Sequence, residues 1–285
     1  MSETHPYSNP QQLKDQQYHT SDNLAARIRL HQQYSTNPQS LTGWVFDHML
    51  AILAGDAHIL ELGSGRGDLW GDNAQRIPAG WKMTLTDLSD GMLADQRKFL
   101  GTLAERMRYQ TVNAVEIPFA NDHFDLVVAN HMLYHVPDRA RALAEVRRVL
   151  KPKGVLFAAT NGDNHMRTLS TLAQSLKLPL PDSSTKFVSE TFSLQNGTAQ
   201  LIPHFSEVHL HLFDSHLWVT DAQALIDYVV SMSAVTVDAI LREHGPAIRN
   251  MLDQRIADEG GIFIEKEIGL FIARGQRDTS HRTNA

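Results

Sequence analysis

The stretch His58-Ile59-Leu60-Glu61-Leu62-Gly63-Ser64-Gly65-Arg66-Gly67-Asp68 decides how the rest of the chain is read. It opens as a short apolar run carrying one acid and ends in glycines at every second position. An apolar strand that stops at a glycine-rich turn, followed by a helix-like segment, is a βα unit whose backbone can approach a ligand closely. Many βα turns use glycine without holding anything, so spacing and charge must discriminate.

Working outward, the same alternation repeats. Trp81-Lys82-Met83-Thr84-Leu85-Thr86 reads as a second strand and residues 107–112 as a third. Phe124-Asp125-Leu126-Val127-Val128-Ala129 has the apolar density of a buried parallel strand. Residues 91–106 and 138–150 are helix-like, Lys151-Pro152-Lys153-Gly154 reads as a turn, and residues 155–160 make a fifth strand. This order implies an α/β fold, a doubly wound and mostly parallel sheet with right-handed crossovers.

Past residue 160 the pattern loosens. Residues 166–176 read as a helix, Leu178-Pro179-Leu180-Pro181 breaks it, 208–213 alternate like a strand, and 221–231 and 235–255 read as helices. Residues 262–273 look like a final strand. The expectation is a seven-stranded sheet with an antiparallel C-terminal edge strand and a helical cap. It divides the chain into an N-terminal helical lid (1–42), a core (43–160), a cap or substrate segment (161–206), strands and helices completing the sheet (207–275), and a disordered tail (276–285). The lid begins with N-cap candidates at Ser21, Asp22 and Asn23.

Composition bounds the function. A chain of 285 residues can bury a sizeable core. The net charge of −6 and the absence of any dense Lys/Arg block argue against a nucleic-acid partner. Cysteine is absent, which excludes disulfides, thiolate metal sites and a cysteine nucleophile. No apolar run approaches the roughly 20 residues that span a bilayer, and the first forty residues carry no signal-peptide core. The expectation is a cytoplasmic protein, monomeric or homodimeric, with no membrane partner.

The glycine turn separates two ligand classes. In the dinucleotide pattern G-x-G-x-x-G the third glycine stands where this chain has Asp68. Glu61 and Asp68 would repel a pyrophosphate, whereas a ligand bearing an ammonium and a sulfonium would be drawn to them. S-adenosylmethionine has that charge pattern. Asp87, at the end of the second strand, can accept from both ribose hydroxyls, or it can simply cap the following helix.

At this point residues 59–68 resemble the signature of class I S-adenosylmethionine-dependent methyltransferases, with a domain of the 11/25 type. Thr86-Asp87-Leu88-Ser89-Asp90-Gly91-Met92 resembles their second-strand segment, and Asn113-Ala114-Val115-Glu116-Ile117-Pro118-Phe119 their third. Residues 124–138 and 147–154 resemble the fourth and fifth, so the likeness covers roughly 55–160 in order. The resemblance implies a Rossmann-like methyltransferase fold, Glu61 near the cofactor's ammonium, Asp87 on the ribose, and Leu88 and Met92 against adenine. Gly63, Ser64, Gly65, Gly67, Ala114 and Asn130 complete the implied cofactor set. Asn113 stands where the family commonly has Asp, and its amide oxygen can still accept the adenine amino hydrogen.

Methyl transfer is an in-line displacement with a neutral leaving group, so alignment and dehydration matter most. A base is needed only where the acceptor must lose a proton. Asn130-His131-Met132-Leu133-Tyr134-His135 follows the fourth strand, where ligands of open α/β sheets bind. His131 and His135 could serve as base, or as hydrogen-bonded residues lining the turn; Tyr134 could orient substrate or pack. Their i, i+4 spacing lacks the Glu of H-E-x-x-H, so no metal is expected. Trp44, Trp70 and Trp218 read as packing residues.

The leading expectation is an enzyme that methylates O, N or C of a small-molecule acceptor and releases S-adenosylhomocysteine. An RNA or protein methyltransferase, a non-catalytic S-adenosylmethionine-binding protein and a nucleotide-dependent oxidoreductase are the competing readings. Acidic charge and the lack of an appended basic domain disfavour RNA, and no N-P-P-Y-like amide-recognition sequence follows the fourth strand; the largely intact binding turn disfavours the second reading, and Glu61 with Asp68 the third.

Overall fold

The computed structural model describes residues 29–175, 189–232 and 236–275, which fall into two compact units. The larger takes in residues 41–160, 191–213 and 269–275; the smaller holds the described parts of 1–40, 161–190 and 214–268. Most of the expected lid, the helix start near Ser21 and the 276–285 tail lie outside the described residues, as does the 178–181 proline break.

In the larger unit β1 (His58–Leu62) pairs in parallel with β2 (Lys82–Asp87) on one side and β4 (Phe124–Val128) on the other. β3 (Met107–Thr111) continues parallel beyond β2, and β5 (Leu150–Asn161) beyond β4. Two later strands, β6 (Glu207–Leu212) and β9 (Ile268–Arg274), pair antiparallel and complete the order β3-β2-β1-β4-β5-β9-β6. This is the expected seven-stranded, mostly parallel sheet. Its edge strand β6 pairs antiparallel with β9, which is last in the chain and is inserted between β5 and β6.

Both sheet faces are buried, as parallel strands require. Leu60, Leu62, Val127, Leu156 and Ala158 point into one core with Ala142, Leu143, Val146 and Val149 of α4 (Arg139–Val149). Their chain neighbours Ile59, Leu126, Val128, Val155 and Phe157 point into the other, against Val45, Phe46 and Met49 of α1 (Leu41–Ile52). The turn after β1 leads into a single short helical turn, α2 (Asp68–Gly71). α3 (Asp90–Leu100) follows β2 and starts where Ser89 Oγ accepts from Met92 N. α4 starts where the Asp138 carboxylate accepts from Arg141 N at 3.0 Å. Both are side-chain N-caps that satisfy a donor the helix leaves open. A short α6 (Gly197–Leu201) precedes β6.

The smaller unit has its own core around Leu30, Leu169, Leu217, Leu225, Ile262 and Ile264. It contains α5 (Arg167–Ser175), α7 (Ala222–Met232), α8 (Thr236–Glu259) and a two-stranded sheet of β7 (Leu217–Val219) with β8 (Ile262–Ile264). Residues 35–37, part of the expected lid, belong here: Thr36 N donates to His216 O at 2.9 Å and Asn37 Nδ2 to Asp214 O at 2.8 Å.

Three details depart from the sequence reading. Residues 151–154 do not end a strand. Phe124 pairs with Leu150 and Leu126 with Val155, so these residues bulge within β5 while Lys151 Nζ bonds Asp125 at 2.7 Å. Residues 262–273 are two strands in different sheets rather than one. Between them Glu265 accepts from Thr168 N at 3.0 Å and Glu267 Oε2 from Asn164 N at 2.8 Å, which holds that segment to the smaller unit. The 161–206 stretch is likewise divided, with Thr191–Phe213 grouped with the sheet.

Leu126 has no exposed surface at the centre of the second core. Leu126→Ala should therefore lower unfolding free energy by about 2–5 kcal/mol, read as a lower urea midpoint with an unchanged slope.

Candidate ligand site at the carboxyl ends of the strands

The strand order reverses between β1 and β4, and open α/β sheets bind ligands outside the carboxyl ends of strands at such a point. Two chain segments meet there, the turn after β1 and the segment after β4.

Gly63, Gly65 and Gly67 all have positive φ, at 63°, 54° and 87°. Only glycine enters that region without cost, so the sequence can make this turn only with glycines here. The turn is tied to β2 on its far side: Ser64 N donates to Thr86 O at 2.8 Å and Gly65 N to the Asp87 carboxylate at 3.2 Å. Asp87 Oδ1 also accepts from Ser89 N at 3.0 Å. Its two oxygens thus brace the turn after β1 and the turn after β2. A Cβ on Gly65 would meet nothing within 4 Å, so backbone is open to a ligand there.

The post-β4 segment packs onto the same turn. A Cβ on Gly63 would lie 2.8 Å from Met132 Cβ, so this glycine also makes room for its neighbour. His131 holds φ 52°, an uncommon backbone for a residue with a side chain. Its N–H donates to Ala159 O at 2.8 Å, and Asn130 Oδ1 accepts from Ala159 N at 3.2 Å, fixing the exit of β4 against β5. Leu133–His135 form one 3-10 turn with the Tyr134 and His135 rings 4.5 Å apart. His131, Tyr134 and His135 are all half-buried.

Leu88 and Met92 are half-buried beyond Asp87, and Ala114 is buried after β3. Asn113 is exposed, and its amide oxygen accepts from Val115 N at 3.2 Å. The oxygen retains a second lone pair.

Glu61 is buried and takes its side-chain hydrogen bond from Trp70, Nε1 to Oε2 at 2.6 Å. Burial pushes its carboxyl up to about 8; the Trp70 bond pulls it down, while the charges of Asp68 and Asp87 push it up. Asp68 in turn is ion-paired with Arg66, Nε to Oδ1 at 3.0 Å, and Arg66 lies 4.4 Å over the Phe99 ring. From sequence, Glu61 and Asp68 stand as two carboxylates confronting a ligand. In the structure one is matched by arginine, and the other is buried, where desolvation disfavours its charged form.

Two supporting residues escaped the sequence reading. Trp70 packs in the core as expected and is also the hydrogen-bond donor to Glu61. Gln96 of α3 is fully buried, with its amide oxygen 3.2 Å from Ser64 Oγ and its amide nitrogen against Gly67. Neither had a motif to mark it. Trp44 packs against Phe213, at 5.2 Å between centroids, whereas Trp218 is exposed opposite Phe263. Among the described residues no group of three or more His, Asp or Glu side chains could hold a metal ion. No helix among them is long and apolar enough to cross a membrane.

A family model described as a methyltransferase domain matches residues 60–158. The chain is 31% identical over 160 residues to a ubiquinone/menaquinone biosynthesis C-methyltransferase UbiE of Psychromonas ingrahamii, covering 55% of this chain and 58% of that protein. It is 38% identical over 102 residues to a demethylmenaquinone methyltransferase of Lactiplantibacillus plantarum, covering 35% and 43%. The chain thus spans less than two thirds of these curated relatives. Of solved structures, the [4+2]-cyclase SpnF aligns with a TM-score of 0.58 at 17% identity, over 94% of this chain and 98% of that one. A Haemonchus contortus phosphoethanolamine N-methyltransferase 2, in complex with S-adenosyl-L-methionine, aligns at 0.57 and 16%, over 94% and 60%. At such identities these structures speak for the fold.

The raised Glu61 carboxyl has a consequence for stability. Its ordinary value is 4.5 and its folded value about 8, so between these the native state holds the extra proton and stability falls as pH rises. Glu61→Gln should melt at a higher temperature than the native protein at pH 8, and the gap should close toward pH 5. Ligand-free thermal scans across that range check it.

Proposed function

We propose that this chain, whose residues 60–158 match a methyltransferase domain, is a class I enzyme that transfers a methyl group from S-adenosylmethionine to a small-molecule acceptor. The observation that carries the reading is the turn from Glu61 to Gly67, with its positive-φ glycines and its brace to Asp87. The residues fit the cofactor on three counts. Backbone at Gly65 is open, Asp87 is half-buried at the strand end, and Glu61 offers a buried acid for a cation. In this reading Gly63, Ser64, Gly65 and Gly67 line the amino-acid end of the cofactor, with Glu61 facing its ammonium and Asn130 beside it. Asp87 accepts from the ribose hydroxyls, Leu88 and Met92 flank the adenine, and Asn113 and Ala114 face its edge.

When bound, the cofactor supplies a methyl group on a positively charged sulfur, already activated for attack. The protein's work is then to align the acceptor, exclude water and, where the acceptor carries a proton, take it up. His131 is the first candidate for that proton because Met132, its neighbour, touches the glycine turn. Tyr134 and His135 are candidates for orienting the acceptor. The strained His131 backbone is consistent with a functional position, since such conformations concentrate at working sites.

The curated relatives are named for methylation in quinone biosynthesis, and we take from them the broader class, a small-molecule acceptor. The net charge of −6 favours that class over RNA. A second reading has one specific support: the same fold carries a [4+2]-cyclase, so cofactor binding without methyl transfer is the alternative.

Calorimetry with S-adenosylhomocysteine should give saturable one-to-one binding, and Asp87→Ala should weaken it at least tenfold. A native protein that binds none at any pH between 6 and 9 removes the cofactor reading. With radiolabelled S-adenosylmethionine, label should pass to a small-molecule extract and not to RNA or protein. Should His131 be the base, His131→Ala lowers kcat by about 10²–10⁴ with little change in cofactor affinity; unchanged turnover assigns the residue to the turn alone.

A further inference from the structure

Glu61 is an acid sealed in the wall of the site, and what holds it there is a side chain with no part in any recognised motif. The Trp70 indole is fully buried, and its N–H reaches Glu61 Oε2 at 2.6 Å across nine residues of chain. The charged groups acting on Glu61 are Asp87 of β2 and Asp68 of α2, both acids, with Asp68 paired to Arg66. Among the described residues no cation is paired with Glu61.

Resting on the cofactor reading above, we propose that Trp70 is a positioning residue that holds Glu61 toward the ligand, and that Glu61 surrenders one proton to solvent when the ligand's ammonium docks. A buried carboxyl flanked by two acids is most stable neutral; a cation brought against it reverses the preference. The Trp70 N–H stays bonded in both states and is stronger to the charged form. It therefore lowers the cost of ionisation while fixing the oxygen that does not meet the ligand. The proton balance is simple: protonated Glu61 plus a cationic ligand gives the carboxylate–ammonium pair plus one proton in the buffer. Affinity accordingly rises with pH up to about 8, where burial has pushed the free carboxyl, and then levels off.

The test uses the full chain and S-adenosylhomocysteine, which carries the ammonium without the sulfonium. Calorimetry at pH 7 in buffers of different ionisation enthalpy should find about one proton released per ligand bound, and Glu61→Gln should release about none. In ligand-free protein, the Glu61 carboxyl carbon followed by NMR should titrate near the same pH. Trp70→Phe should move that midpoint up by roughly one to two pH units, and affinity at pH 7 should drop about tenfold for each unit.

Binding without proton release, or a Glu61 midpoint in the ordinary carboxylate range, overturns the proposal and leaves the cofactor reading standing. An unchanged midpoint in Trp70→Phe overturns the role of Trp70, since a purely structural loss would not move it. Should Trp70→Phe fail to fold, a Glu61→Gln protein that still releases a proton overturns the assignment. If S-adenosylhomocysteine does not bind at any pH, the cofactor reading and the proton release fall together, and the ligand-free titration separately decides whether Trp70 sets the state of Glu61.

Discussion

The positive-φ turn at Gly63–Gly67 is the constraint on which the site depends. It lets β1 end abruptly, so the chain can fall back as α2 without covering the strand ends. Because Ser64 N and Gly65 N both reach β2, the turn cannot be displaced without breaking the pairing of the two strands beside it. Met132 presses on it from the β4 side. One short loop thus ties together β1, β2 and the segment after β4, and leaves open space beside Gly65 at the carboxyl ends of the strands. The site is a product of sheet topology completed by glycine.

The electrostatics around that loop are less obvious than the sequence suggests. Three acids, Glu61, Asp68 and Asp87, converge within one site, which a folded protein tolerates only when each has a compensation. Asp68 has Arg66, Asp87 has backbone N–H donors, and Glu61 has the Trp70 N–H and a burial that favours its neutral form. Discrimination against phosphate by raw negative charge is therefore weaker than a count of carboxylates implies. Selection falls instead to a group that becomes anionic when a cation arrives.

Legibility differed sharply along the chain. Residues 58–160 could be read because each strand is a dense apolar run bounded by its own turn signal, and because both faces of a parallel sheet demand such runs. Glu61, the glycines and Asp87 could be located for the same reason, since they stand at strand ends. Trp70 and Gln96 could not. Their contribution is a hydrogen bond or contact made from a helix onto a loop, and nothing in local spacing distinguishes it from ordinary packing. Residues 262–273 misled in the opposite way. Their continuous β-like composition hid a change of sheet at Glu265–Glu267, which depends on partners about 100 residues earlier in the chain.

The sequence by itself determined the alternation of strands and helices, the conformation of the glycine turn and the identity of the acids at the strand ends. Those properties are local: side-chain periodicity, the steric freedom of glycine and the position of a charge after an apolar run. Tertiary structure alone decided the burial of Glu61 that pushes its carboxyl upward, the pairing of Asp68 and the insertion of β9 between β5 and β6. Each of these turns on desolvation or on contacts between residues far apart in the chain, quantities that exist only once the chain is packed. The turn that fixed the fold from sequence is thus the same turn whose chemistry only the packed protein could set.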